Sequence, residues 1–130
     1  MTAAITGAVA ALAASPDELA ARFYRLLFAD APHLRSLFDA DLSGQQQRFL
    51  GELGYLIGLA EQPDQMEARA EELGRRHAGY GVSMDDIGPF RTALVKALHE
   101  VVDDAAASAA WAQLIDAVLR AFAVGLVQSS

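Results

Sequence analysis

Apolar residues recur along most of the chain every three or four positions, which is the period of an α-helix. The first helical stretch is marked by Ile5, Val9 and Leu12. The segment Ser15-Pro16-Asp17-Glu18 predicts the start of a second helix, because it supplies an N-cap serine, a first-turn proline and the glutamate of a capping box. We expect Pro32 to interrupt that second helix.

Four further helices are predicted downstream. The first runs from about Gln45 to Ala60, and a charged helix follows from Gln65 to about Gly79. Pro89 is expected to open the next helix, and Ser108 to cap the last. No segment shows the alternating pattern of a strand, and there is no repeat or low-complexity linker. We therefore predict an all-α fold of six to seven helices in a single domain over residues 1–130.

Three glycines stand inside the predicted helix that begins near Gln45. Gly51, Gly54 and Gly58 would each cost about 1 kcal/mol relative to alanine in an exposed helix interior. We expect another helix to cross closely at these positions, since a close crossing would explain the missing side chains. The alternative is a helix that is merely weak.

Composition and charge narrow the class of protein. A chain of 130 residues with 53% hydrophobic content can bury one core of its own. The absence of cysteine excludes disulfides, thiolate metal sites and a cysteine nucleophile, and it fits a reducing compartment, so we expect a cytoplasmic protein. A formal net charge of −7 argues against binding to nucleic acid. The apolar stretch 3–14 is too short to span a bilayer, so no membrane partner is expected.

Several common catalytic arrangements do not fit. The chain has no clustered-histidine zinc site, no phosphate-binding glycine loop and no serine in a G-x-S-x-G turn. The acidic pairs Asp85-Asp86 and Asp103-Asp104 stand near predicted helix ends, so we interpret them as turn and capping residues.

His77 is the candidate metal ligand. It lies near the end of a predicted helix among small and apolar residues, whereas His33 and His99 lack such surroundings. An imidazole nitrogen in this setting can bind a metal, and iron in haem is the candidate. A solitary helical histidine is also common as a surface residue or as a hydrogen-bonded core residue.

Four segments follow one another in a specific order and spacing. They are Phe23-Tyr24-x-x-Leu27-Phe28-x-x-x-Pro32, Leu37-Phe38, Asp41-Leu42-x-x-Gln45-x-x-Arg48-Phe49 and Leu73-Gly74-x-x-His77-x-x-Tyr80-Gly81-Val82. Together they resemble a bacterial single-domain globin, similar to the globin portion of flavohaemoglobins. The resemblance extends from roughly Ile5 to Leu126 and includes Ala110-Trp111 in the last helix.

The resemblance implies that His77 is the proximal ligand of haem b, with its other ring nitrogen donating to a backbone carbonyl or water. It implies that Tyr24 and Gln45 lie on the distal side and donate hydrogen bonds to bound oxygen. From the pattern alone, Tyr24 is equally a surface or core aromatic. Gln45 could belong to a solvated first turn, and Gln46 aligns with the apolar stripe.

Further contacts with haem are implied by position in the family pattern. Phe38 would pack flat on the porphyrin, and Arg48 and Arg76 would reach the haem propionates. Solvated surface arginines are the alternative. The remaining pocket walls would be Phe23, Phe49, Leu53, Leu73, Val82 and Leu94. Apolar residues at helical spacing are also ordinary core residues.

The implied function is reversible binding of oxygen, nitric oxide or carbon monoxide at pentacoordinate haem, by a monomer or homodimer. Nitric oxide dioxygenation with an external reductase is a possible enzymatic activity. Flavohaemoglobins carry a tyrosine ten positions after the proximal histidine, where this chain has Ile87, and Ile115 replaces a second family tyrosine. Two alternatives are a haem-based gas or redox sensor that acts on a partner protein, and a haem-free globin-like interaction module.

Overall fold

The computed structural model describes residues 14–102 and 104–128. The helix expected around Ile5, Val9 and Leu12 lies outside the described residues. Within them the chain forms five α-helices: α1 (Pro16–Asp30), α2 (Ser43–Gly58), α3 (Pro63–Gly79), α4 (Ile87–Val101) and α5 (Ala105–Gln128). Two short 3-10 helices, Pro32–Leu37 and Met84–Asp86, complete the described secondary structure, which contains no strand. The all-α prediction is confirmed.

The helices pack in pairs around one apolar core. α3 lies along α5, α1 packs on α4, and α4 also contacts α5. The largest fully buried side chains are Trp111, Phe23, Leu19, Leu94, Leu98 and Leu126. The indole Nε1 of Trp111 donates to the Leu94 carbonyl at 3.4 Å, so this buried polar atom is satisfied.

Helix α5 is strongly apolar. By length and composition alone it could cross a membrane, and it is the single described helix that meets both conditions. Trp111, Ile115 and Leu126 are buried in the core, and α5 packs on α3 and α4. A core helix of a globular domain has the same composition, so this finding by itself does not indicate a membrane segment.

The helix starts differ in part from the sequence predictions. α1 begins after Ser15 as expected, but the Ser15 side chain makes no capping hydrogen bond. The Glu18 carboxylate instead accepts a hydrogen bond from Arg22 Nε at 2.8 Å, so the predicted capping box at Ser15 was wrong. A long-chain partner one turn away competes for the glutamate.

Aspartates take part in capping the second 3-10 helix and the last α-helix. Ser83 and Asp86 form a reciprocal capping box at the second 3-10 helix. Asp104 Oδ1 accepts hydrogen bonds from the backbone amides of Ala106 and Ala107 at 2.9 and 3.2 Å. The interpretation of Asp86 and Asp104 as capping residues is confirmed, whereas Ser108 lies inside α5 and was wrongly assigned as its cap.

The glycine prediction was wrong in its location. A Cβ atom added at Gly51, Gly54 or Gly58 would meet no atom within 4 Å, so none of the described helices crosses α2 closely there. The close crossing lies between α3 and α5. A Cβ on Gly74 would lie 2.0 Å from the Phe122 carbonyl oxygen, and one on Gly125 would lie 1.8 Å from the Glu71 carbonyl oxygen. Only glycine fits at these two positions.

Candidate functional site

His77 lies in the last turn of α3 with one ring nitrogen engaged. Its Nδ1 is 2.7 Å from the carbonyl oxygen of Leu73, one turn earlier in the helix. A carbonyl can only accept, so Nδ1 carries the hydrogen and, in the neutral ring, Nε2 holds the lone pair. Burial lowers the pKa of His77, and the bond to Leu73 only partly opposes this. The predicted backbone-carbonyl partner is confirmed, and Nε2 is chemically available as a ligand.

Two aromatic rings pack against the His77 imidazole, and backbone hydrogen bonds to its carbonyl end helix α3. Phe122 of α5 and Tyr80 meet the imidazole edge to face, with ring centroids 5.1 and 5.5 Å away. The backbone amides of Tyr80 and Val82 both donate to the His77 carbonyl, at 3.0 and 3.1 Å. Gly81 has a φ of 93°, a left-handed conformation that suits glycine and ends the helix.

Helix α5 also determines where α3 can lie. Gly74 precedes His77 by three positions, so the two residues share a helix face. The crossing at Gly74 and Gly125 brings the two helix backbones into direct contact. The imidazole is therefore positioned by a rigid pair of helices, not by a loop.

Tyr24 is the second polar group of the predicted site. It lies on α1 with only 4% of its surface exposed. Burial raises the pKa of the Tyr24 phenol, and a hydrogen bond with Gln45 and the charge of Arg48 partly offset this. The phenol therefore stays protonated at neutral pH and can donate a hydrogen bond.

Gln45 lies near Tyr24 and is bonded to Arg48. Its Oε1 accepts a hydrogen bond from Arg48 Nη2 at 3.2 Å, and its amide acts to lower the pKa of Tyr24. Gln45 lies in the first turn of α2, and Gln46 is the neighbour that shared the apolar stripe in the sequence. The effect of Gln45 on the Tyr24 pKa favours Gln45 between the two, and its place beside a bound ligand stays a prediction.

Aromatic rings surround the Tyr24 side chain. The ring centroids of Phe38 and Phe49 lie 5.8 and 5.7 Å from that of Tyr24, and both rings meet it edge to face. Phe23 stacks on Phe49 at 4.6 Å. Phe28, which the sequence reasoning did not assign to the site, contacts both Tyr24 and Phe38. Its position four residues after Tyr24 on α1 was the available signal.

The remaining predicted residues fall into two groups. Leu53 and Leu94 are buried in the core, while Leu73 packs against it and Val82 is partly buried. Arg76 is about half exposed and forms an ion pair with Glu72 at 3.0 Å. Contacts of Arg76 and Arg48 with propionates stay predictions, as do the individual apolar contacts with haem.

An ion pair that the sequence reasoning missed joins the helices carrying Gln45 and His77. Arg69 of α3 makes a two-point contact with the Glu52 carboxylate of α2, at 2.9 and 2.5 Å. The Arg69 guanidinium also lies over the Tyr55 ring at 5.1 Å. Over the described part of the chain, no hydrogen bond or ring contact joins His77 directly to Tyr24.

The donor set fits haem. Among the described residues, no group of three or more His, Cys, Asp or Glu side chains gathers as a metal site. His77 would therefore be a lone protein ligand, which suits a metal whose remaining ligands come mainly from a porphyrin. The tyrosine–amide pair among aromatic rings suits the opposite face, where donors control small ligands. The class so defined is a helical haem protein.

A comparison with protein families agrees with this site. The family model described as Globin matches residues 21–122, most of the chain. The chain belongs to the globin family. Globins bind haem and, through it, diatomic gases. A search of curated proteins found no match to this chain.

Proposed function

We propose that the protein reversibly binds oxygen or a related diatomic gas at pentacoordinate haem b, with His77 as the axial ligand. The observation that carries this proposal is the 2.7 Å contact between His77 Nδ1 and the Leu73 carbonyl. It fixes the tautomer and leaves Nε2 as the ligating atom. When bound, haem would supply the iron atom that takes up the gas.

His77 has two tasks in this proposal. Its neutral ring offers a lone pair at neutral pH, because burial lowers its pKa. Its orientation is held by Leu73 and by Phe122, so the ring is preorganised for one direction of approach. Gln45 supports an open sixth position, since an amide is a poor ligand for iron.

Tyr24 would stabilise a diatomic ligand on the distal side. Its phenol is buried and protonated, and a hydrogen bond is stronger in a site of low dielectric. Oxygen bound to haem would accept a stronger hydrogen bond than carbon monoxide, so the Tyr24 donor would favour retention of oxygen. We expect slow release of oxygen to follow.

Nitric oxide dioxygenation is the second activity that we propose, supported by the Tyr24–Gln45 pair, because slow oxygen release gives nitric oxide time to react. A separate reductase would supply the electrons. Ile87 stands where flavohaemoglobins carry a tyrosine on the proximal side. Gas binding is therefore the primary proposal and turnover the secondary one.

The decisive experiment is to remove the His77 imidazole and restore it in solution. His77→Gly should lose the five-coordinate ferrous spectrum and the carbon monoxide spectrum of a histidine-ligated haem, and added imidazole should restore both. The matched control is His99→Gly, which removes an exposed histidine bonded to Ser108. A His77→Gly protein with unchanged spectra would refute proximal ligation, and a wild-type chain that stays spectrally silent with haem would favour a haem-free module.

A further inference from the structure

We propose that the ion pair between Arg69 and Glu52 holds α2 against α3 and thereby limits how fast haem is released. Arg69 and Glu52 are positioning residues in this proposal, because they act through the spacing of the two helices that carry Gln45 and His77. The inference rests on the proposed function and deepens it, since it assigns haem retention to a contact outside the predicted site.

Arg69 of α3 is bound by two groups of α2. Its Nε and Nη2 donate to the two carboxylate oxygens of Glu52, at 2.9 and 2.5 Å. The guanidinium also lies 5.1 Å from the ring centroid of Tyr55, which follows Glu52 by three positions and so shares its helix face. The side chains of Arg69 and Glu52 are only 31% and 24% exposed. A two-point contact with this shielding is stronger than an ordinary surface ion pair.

The ion pair lies halfway along a helical hairpin. Residues 59–62 connect α2 to α3, and Glu52 and Arg69 each stand six positions from the helix end that adjoins this connection. Gln45 and His77 stand seven and eight positions further from the connection. Because an α-helix rises by the same amount at every residue, Gln45 is about twice as far from the connection as Glu52. When α2 pivots about the connection, a separation at the ion pair is therefore roughly doubled at Gln45.

Helix α2 is the more mobile arm of this hairpin. The close crossing of Gly74 and Gly125 fixes α3 along α5, whereas α2 contacts α1 and α3 far less extensively. The buried residues of α2 all lie between the ion pair and the connection: Leu53, Leu56 and Ile57. No residue from 43 to 52 is buried. The ion pair thus stands where the firmly packed part of α2 ends, and it restrains the part that carries Gln45.

The first test measures the rate at which haem leaves the ferric holoprotein for an excess of a second, tight-binding apoprotein. Arg69→Met should speed this release about 3- to 10-fold, between the value for an exposed ion pair and that for a charge-assisted hydrogen bond. In a Glu52→Gln background, Arg69→Met should have less than about half of that effect on a logarithmic scale, because the charged partner is already gone. The matched control is Arg91→Met, which removes an equivalent two-point contact between α4 and α5, with Asp116 at 2.7 and 3.2 Å.

Three kinetic results would overturn the proposal. The first is an unchanged rate of haem release in Arg69→Met. The second is an equal acceleration in Arg91→Met, which would indicate a general loss of stability. The third is an effect of Arg69→Met that is the same with and without the Glu52 carboxylate.

A second measurement reports the helix spacing without haem. The chain has no cysteine, so spin labels can be attached at Gln47→Cys on α2 and Arg75→Cys on α3, two exposed positions in the halves of the helices away from the connection. In the full-length haem-free chain, the distance between the labels should increase by at least about 2 Å in Arg69→Met, a typical helix displacement, and stay unchanged in Arg91→Met. An unchanged distance in Arg69→Met would refute the spacing role even if no haem binds. A wild-type chain that takes up no haem would refute only the proposed function.

Discussion

The crossing of α3 and α5 makes the sharpest prediction about stability. A Cβ atom on Gly125 would lie 1.8 Å from the Glu71 carbonyl oxygen, where ordinary contact begins near 3.4 Å. The overlap of about 1.6 Å involves backbone on both sides, so no side-chain rotation can relieve it. The helices would have to separate. We expect Gly125→Ala to destabilise the fold by about 2 to 3 kcal/mol, after allowing for the higher helix propensity of alanine.

Urea unfolding of the full chain, followed by circular dichroism and by Trp111 fluorescence, measures the effect. A loss of this size lowers the urea midpoint by about 1 to 2 M. The matched control is Gly54→Ala, because the added Cβ meets no atom within 4 Å. This variant should stabilise α2 by about 0.5 to 1 kcal/mol, since alanine has the higher helix propensity. A Gly125→Ala variant as stable as the wild type, or two variants that shift the midpoint in the same direction, would exclude a steric clash at the crossing.

Two predictions concern single polar groups. Tyr24→Phe removes only the phenolic hydroxyl. Stopped-flow measurements should therefore show that oxygen dissociates about 5- to 30-fold faster, with little change in the dissociation rate of carbon monoxide. Equal effects on both gases would contradict the role of the phenol as donor. Asp86→Asn should cost about 1 to 2 kcal/mol at neutral pH. Burial acts to raise the pKa of Asp86, but bonds from Ser83 and His33 outweigh it and hold the pKa below its usual value. A lowered folded-state pKa contributes stability above the unfolded pKa, near 4, and that contribution is lost as the pH falls further. Urea midpoints of the two proteins should therefore converge in acid, and a gap that is constant from pH 7 to 3 would exclude the carboxylate as its source.

Helix positions could be predicted from the sequence because they depend on local periodicity. The stripe of apolar residues and the prolines at positions 32 and 63 define the helix boundaries within a few residues. The roles of individual glycines could not be predicted in this way. Gly54 and Gly125 are both helical, and only the presence of Glu71 across from Gly125 distinguishes a required glycine from a tolerated one.

In the candidate site, too, features within one local stretch of sequence could be predicted, whereas contacts between helices could not. His77 was recognisable because its small and apolar neighbours and the spacing Leu73-Gly74-x-x-His77 all lie within one local stretch of sequence. The preference for Gln45 over Gln46 came from the spacing Asp41-Leu42-x-x-Gln45-x-x-Arg48-Phe49, and it stays a prediction. The contact between Arg69 and Glu52 joins two helices across 17 positions of sequence, and no local pattern marks such a pair.

Helix α5 carries none of the proposed ligand-binding groups, yet its packing determines where His77 lies. Gly125 sets how near α3 can come, and Phe122 supports the His77 ring from the same helix. Substitutions along α5 should therefore tune gas affinity from a distance, by tilting the imidazole without touching the gas. An engineer who wishes to retune this protein would begin with its last helix and leave the pocket lining intact.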